Sequence, residues 1–425
     1  MADLRIVIAG AGFAGLTALG RLGKRRGLHV TLVDRNSYSM FQPLLYQVAT
    51  AGLTSADVAY PAWTAVHKAG AHFCKGEITG IDAAGRRLLL ADGNAIGYDY
   101  LILATGVSAA FFGVAGAAEH AFSLYTRRDA IELRDHLIAE LEQRSVAGDA
   151  RELAITVVGG GATGVELAGT IAELRNIALP TSFPEIDAGR IKVRLIEMGQ
   201  ALIAPFRPAL RDYARRELVR RGVDVLLGTA ISSVEPGKVL VAADRDSDGE
   251  RALESDITVW AAGVAAPEWI GRLGLPTGRG GRVLTGPDLL VHGQDRIFAV
   301  GDIALVDGQP LPQLAQPAIQ QGRHAVAQIL RLAGGRPTQP FSYHDKGIMA
   351  TIGHRSAVVE LAFRIRVRGT LAWLAWLALH LITLLGGRNR ISALVNLSWR
   401  YLTWSRGGGV IVGDDRPADR GPAVG

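Results

Sequence analysis

The chain is short of sulfur. Its 425 residues include one cysteine, Cys74, which excludes a disulfide framework, a CxxC redox pair and a cysteine-held zinc. No metal site is expected. Lysine is scarce too, with 6 against 40 arginines. No secretory leader is legible, because the apolar start Leu4–Ala9 runs straight into a glycine loop with no basic stretch before it. The longest apolar run, Leu371–Leu385, falls short of the roughly 20 residues that span a bilayer. What the chain has in quantity is glycine, 52 residues with no collagen-like period. At about 100–200 residues per domain, the length suggests two or three domains.

Charge is one-sided. Residues 1–330 carry 33 Lys+Arg against 35 Asp+Glu, a net of −2, while residues 331–425 carry 13 against 5, a net of +8. Basic charge confined to one end points to an anionic surface. Arg364, Arg366, Arg368, Arg388 and Arg390 bracket the run Leu371–Leu385, and Trp399, Tyr401 and Trp404 follow. A nucleic-acid binder would interleave basic and aromatic residues on a polar face, so no nucleic acid is expected and a lipid surface is favoured. At 1.5 Å per residue the run reaches about 22 Å, too short to cross and suited to lying in the interface. Ile391, Leu394, Val395, Trp399 and Leu402 share one face of a second, amphipathic helix.

Two βαβ openings recur about 150 residues apart. The strand Leu4–Ala9 leads into Gly10, Ala11, Gly12, Phe13, Ala14 and Gly15, a helix over Leu16–Leu22, and a strand Val30–Val33 ending at Asp34. The strand Ala154–Val158 leads into Gly159-Gly160-Gly161-Ala162-Thr163-Gly164 and a helix, and the strand Val193–Ile196 ends at Glu197. In each loop the first glycine permits the tight turn, the second lets backbone approach a pyrophosphate, and the third allows close helix–strand packing. Asp34 and Glu197 stand where a carboxylate accepts bonds from ribose hydroxyls. Met198 and Gly199 follow Glu197, with no arginine to balance a 2′-phosphate, so NADH is expected over NADPH. Tyr100–Ala104 with Thr105 and Gly106, and Ile257–Ala261 with Ala262 and Gly263, read as strand-to-loop crossings between domains. A further strand, Ile297–Val300, ends in Gly301-Asp302. For Asp302 alone a helix cap or turn is the commoner role. A helix is expected over about Pro317–Leu332, and strands with turns over Thr338–Glu360. Cys74 reads as a small core residue and His380 as a packing residue.

The chain resembles the type II NADH dehydrogenases, the single-subunit NADH:quinone oxidoreductases that pump no protons. The resemblance covers about residues 3–405. It rests on Phe41-Gln-Pro-Leu-Leu-Tyr-Gln-Val-Ala-Thr50, Gly159–Gly169, Trp260–Val264, Phe298–Asp302, Ala315-Gln-Pro-Ala-Ile-Gln-Gln-Gly322, Met349–Gly353 and the region Leu371–Trp404. It implies an α/β fold of two Rossmann-type dinucleotide domains, the FAD domain interrupted by the NADH domain, plus a C-terminal membrane-associating helical segment. The implied division is 1–120 and 266–335 for FAD, 121–265 for NADH, 336–405 for strands and anchoring helices, and 406–425, rich in Gly, Pro and charge, as a disordered tail. FAD, held non-covalently, would take the first loop with Asp34, Arg35, Pro43, Ile78, Thr105, Gly106, Gly301, Asp302, Ala315 and Gln316. NADH would take Gly159, Gly161, Gly164, Glu197 and Gly263.

Under the same resemblance a hydride passes from NADH to the flavin, and two electrons then go to a membrane quinone, ubiquinone or menaquinone. Glu166 falls in the first turns of the second phosphate helix and takes the family's active-site glutamate role. Gln316 and Gln320, four residues apart on one helix face, would meet the quinone, an amide being able to donate to a carbonyl without adding charge. The implied location is the cytoplasmic face of the cell membrane, where C-terminal helices could also pair two chains. The chief alternative is a soluble NADH-dependent reductase of a small electron-carrier protein, which leaves the C-terminal segment without a purpose. A dinucleotide sensor without turnover is the non-enzymatic alternative. A thiol-disulfide or sulfide-oxidising flavoenzyme needs paired cysteines and is excluded.

Overall fold

The computed structural model describes residues 3–148, 151–242, 249–362 and 365–403, with side chains as far as Tyr401. Arg364, Trp404, the tail 406–425 and the Leu402 side chain therefore lie outside the described residues. The chain forms two compact units. One comprises Met1–Met40, Ala59–Ser108 and Val264–Lys346, and the other Phe41–Val58, Ala109–Gly263 and Gly347–Gly425.

The first unit is centred on a five-stranded parallel sheet in the order Ile297–Ala299, Tyr100–Leu103, Leu4–Ala9, Leu28–Asp34, His72–Lys75. Its strands read as continuous Val/Ile/Leu runs because both faces are covered: Ile6, Ile8, Leu32, Leu101, Ile102 and Phe298 are all fully buried. The helices Phe13–Leu22 and Ala315–Ala333 pack on each other. The second unit repeats the design. Its parallel sheet runs Phe122–Ser123, Ile257–Trp260, Leu153–Val158, Ile191–Glu197, Val223–Leu227. Each unit also carries a three-stranded antiparallel sheet, at Ile78–Gly97 and Ile231–Glu254.

In both parallel sheets strand order reverses beside the strand that precedes the glycine loop. That is the point where doubly wound sheets open a crevice at their carboxyl ends. The two sheets match bond for bond. Gly10 N–H donates to Val33 O at 2.7 Å and Gly159 N–H to Ile196 O at 2.8 Å. Ala104 N–H donates to Ala9 O, and Ala261 N–H to Val158 O, both at 2.8 Å.

The second unit continues into an antiparallel sheet, Ile348–Gly353, Ser356–Glu360 and Arg366–Arg368, followed by the helices Thr370–Thr383 and Gly387–Thr403. The strands expected over Thr338–Glu360 begin only at Ile348. Residues 336–347, rich in proline and polar groups, run as irregular chain. No helix among the described residues is long and apolar enough to cross a membrane. At about 21 Å the helix Thr370–Thr383 is shorter than the roughly 30 Å hydrocarbon core.

Candidate active site: two dinucleotide cradles and a buried carboxyl

The phosphate helices Phe13–Leu22 and Ala162–Glu173 begin without a side-chain cap, leaving their first N–H groups for a ligand. Gly10 and Gly159 sit at φ +112° and +109°, where an L side chain is strained, and a Cβ on either would strike backbone of the neighbouring strand end. A Cβ on Gly15 or Gly164 would collide with the carbonyl of Gly10 or Gly159. The central glycines differ: a Cβ on Gly12 or Gly161 meets nothing within 4 Å, so the faces they line are open.

The acidic residues complete the match. Asp34 accepts from Ala11 N–H at 2.7 Å and from Asn36 N–H at 2.7 Å. Glu197 accepts from Gly160 N–H at 2.5 Å and Gly199 N–H at 2.6 Å. Burial raises the Asp34 carboxyl above the usual range, and the bonds from Ala11 and Asn36 oppose it. Each loop is thus tied by its second residue to the carboxylate one strand over.

Asp302 does not cap a helix. It lies inside the single 3-10 turn Gly301–Ile303, whose cap position is Val300. Burial lifts its carboxyl to about 6, opposed by the nearby Arg282 charge. The turn is held from outside: Arg282 and Gln313 donate to the Asp302 carbonyl at 2.9 and 3.3 Å, and Gly301 N–H donates to Gln321 Oε1 at 2.5 Å. Gln321 is fully buried. Its neighbour Gln320 has both amide atoms engaged, donating to His344 O at 2.9 Å and accepting His344 N–H at 3.0 Å. Gln316 is half-buried in the first turn of the same helix, after Ala315. Lys346 is exposed, and Cys74 is half-buried on an edge strand against the core rather than within it.

In the second unit the sequence GVELAG explains an unusual side chain. A Cβ on Gly169 would strike Ile352 O, so helix Ala162–Glu173 lies directly on the strand Ile348–Gly353. Glu166 and Glu173 flank that contact. Glu166, only 8% exposed, accepts Thr351 N–H at 3.2 Å. Burial without a cation raises its carboxyl to about 8, opposed by the Thr351 bond and the Trp376 indole. At neutral pH it is a protonated acid. Beside it are two fully buried donors, Tyr46 Oη and Trp376 Nε1. Trp376 stacks on His380 at 4.0 Å, and burial drives that imidazole down to about 4, so it stays neutral. His380 packs, as expected. Glu173 has what Glu166 lacks: Arg221 at 3.9 Å, the His354 N–H and the charge of Arg400 all oppose the upward pull of burial.

Against this geometry the comparisons are decisive. The profile of the pyridine nucleotide-disulphide oxidoreductases matches residues 4–322. The type II NADH:quinone oxidoreductase Ndh of Mycobacterium tuberculosis is 37% identical over 423 residues, covering 95% of this chain and 89% of its own length. The chain belongs to the type II NADH:quinone oxidoreductases. Two solved structures share the fold: NDH2 of Plasmodium falciparum in complex with NADH, and the sulfide:quinone oxidoreductase of Aquifex aeolicus. The first is 18% identical with a TM-score of 0.87, over 95% of this chain and 99% of the other. The second is also 18% identical, with a TM-score of 0.77, over 94% and 96%.

The residues present fit two dinucleotides. The open faces at Gly12 and Gly161 leave room for pyrophosphate, and the uncapped helix starts supply donors. Thr105 Oγ1, buried and without a partner beside the first loop's strand, is a further polar group available to a ligand. Ile78 begins the antiparallel sheet of the first unit, and Gly106 holds a left-handed turn at φ +68°. Gly263, at φ +146°, has the Phe112 ring where its Cβ would be. Arg35 is exposed and Pro43 half-buried.

Proposed function

We propose that this chain oxidises NADH and reduces a membrane quinone, with a non-covalent FAD as resident cofactor and without pumping protons. NADH, a proton and a quinone become NAD⁺ and a quinol. The observation that carries the reading is the pair of matching cradles in a chain with one thiol. Two redox dinucleotides and no cysteine pair leave no thiol relay to serve as electron acceptor, and a diffusible acceptor takes its place.

In this reading 1–120 and 266–335 form the FAD half, with Gly10–Gly15 and Asp34 on the adenosine pyrophosphate and Asp302 on the ribityl chain. Residues 121–265 hold NADH through Gly159, Gly161, Gly164 and Glu197. FAD, when bound, supplies two-electron exchange between nicotinamide and quinone. The protein orients, shields and delivers the proton. Glu166 holds that proton in a site walled by Trp376 and His380, and Gln316 offers an amide donor to a carbonyl. With both amide atoms already bound to His344, Gln320 serves by fixing residues 343–346 against its helix.

The lipid surface is met by the C-terminal helices. Leu371 and Ile382 on one, and Ile391, Val395 and Trp399 on the other, are exposed by 57–72%. Arg366, Arg368, Arg388 and Arg390 flank them for anionic headgroups on the cytoplasmic face. Replacing Leu371 and Ile391 together by glutamate is expected to weaken flotation with anionic vesicles about a hundredfold, at roughly 1.5 kcal/mol of lost burial each. Unchanged flotation would remove the anchor.

The function itself is tested on detergent-purified protein under anaerobic conditions. One equivalent of NADH should bleach a flavin spectrum, and a short-chain quinone should restore it. Bleaching without return would shift the reading to an NADH-dependent reductase of a protein carrier.

A further inference from the structure

The last helix, Gly387–Thr403, is built inside out. Ser392, Asn396 and Arg400 recur at four-residue spacing and so share one face. That polar face is turned into the protein. Ser392 Oγ and Asn396 Nδ2 donate to the carboxylate of buried Asp57 at 2.5 and 2.8 Å. Two turns on, Arg400 Nη1 donates to the side-chain oxygen of buried Gln47 at 3.0 Å. Gln47 belongs to the short helix Leu45–Ala49, which packs on helix Ala162–Glu173 and carries the buried Tyr46 hydroxyl. The guanidinium has a reserved place: a Cβ on Gly52 would fall on Arg400 Nη1 and against Gln47 Oε1. Gly52 is not in the left-handed region, so it is glycine for space and not for φ.

Taking the proposed function as its basis, we propose that Arg400 is a positioning residue for the quinone half of the reaction. Its fork joins Gln47 to the charge of Glu173 and so fixes the turn Leu45–Ala49 against helix Ala162–Glu173. That contact sets the Tyr46 hydroxyl and the Glu166 carboxyl in one pocket. The helix that offers its apolar face outward thereby also fixes the donors that meet the quinone. Arg400 touches neither nicotinamide nor quinone. It acts through Gln47 and Tyr46.

The test separates the half-reactions by anaerobic stopped flow on the FAD-loaded full chain, using NADH and then a short-chain ubiquinone analogue. In Arg400→Met, flavin bleaching by NADH should stay within twofold of wild type, while reoxidation slows at least tenfold. Arg400→Lys, which keeps the charge and loses the fork, should recover part of that rate. Gly52→Ala retains the arginine but takes its place, and should slow reoxidation similarly. In the Arg400→Met background the added methyl, left with only its contact to Gln47 Oε1, should have a clearly smaller effect. Reoxidation within twofold of wild type in Arg400→Met would overturn the inference. So would a Gly52→Ala effect that persists undiminished without the arginine. Should Arg400→Met fail to fold, Gly52→Ala and Arg400→Lys make the same comparison, and normal reoxidation in both overturns it. A wild-type flavin that quinone cannot reoxidise would overturn the function, and this inference with it.

Discussion

Glu166→Gln is expected to leave bleaching by NADH intact and to cut quinone turnover by about a hundredfold, the low end of what a positioned general acid contributes. Glutamine keeps the size and the acceptor for Thr351 N–H but holds no transferable proton. In wild type the acid form is present below about 8, so the quinone half-reaction should decline as pH rises through that value, and the variant should lack this limb. Equal rates and equal pH profiles would reject the role. Stability should move the opposite way. Between 4.5 and about 8 the unfolded chain has released a proton that the folded chain keeps, so wild-type stability falls with rising pH across that window and then levels. The variant escapes this penalty, on the order of 3 kcal/mol at pH 7, and its melting temperature should exceed wild type by a margin that grows from pH 5 to pH 8. A residue whose removal strengthens the fold and weakens turnover is retained for its chemistry.

The second large effect distinguishes the loops. Gly15→Ala and Gly164→Ala each drive a methyl into a backbone carbonyl, which no side-chain rotation relieves. The helix must back away from its strand at a cost of about 1–3 kcal/mol or more, and the cradle opens with it. Gly15→Ala should purify colourless or lose its flavin on dilution. Gly164→Ala should stay yellow, bind NADH at least a hundredfold more weakly, and bleach only at high NADH. If the colours were exchanged, the cofactors would be assigned to the wrong loops. By contrast Gly12→Ala should fold normally, since its methyl points into open space, and fail only on adding the dinucleotide.

The loops were legible in the sequence because glycine spacing encodes backbone directly. Gly10 corresponds to a conformation, Gly15 to a close approach and Gly12 to an open face, and the ends of the central strands fall within about two residues of where the apolar runs stop. Side-chain direction was less legible. Glu166 lies on a helix whose two faces look alike in sequence, and only the close approach at Gly169 shows it to be buried. Gln320 and Gln321 are adjacent and identical in type, yet one clasps His344 and the other holds the Gly301 turn. The antiparallel sheets at Ile78–Gly97 and Ile231–Glu254 carry no motif that marks them, and their strands are short. The inward stripe of the last helix could not be seen at all, because its partners Asp57 and Gln47 lie 335 and 353 residues earlier in the chain. Amphipathicity read alone assigns polar residues to water, and here they are assigned to a carboxylate and an amide.

That separation has a consequence for synthesis on the ribosome. At about 5–20 residues per second, Asp57 and Gln47 emerge roughly 20–70 seconds before Ser392 and Arg400 are made. Until then the Asp57 carboxylate has only its local bonds from Thr54, and the Gln47 amide awaits its arginine. The helix that completes them also carries exposed apolar side chains, so the inner contacts and that outer face both arise only in the final moments of translation. Both dinucleotide loops, and almost the whole chain with them, are therefore made before that outer face exists.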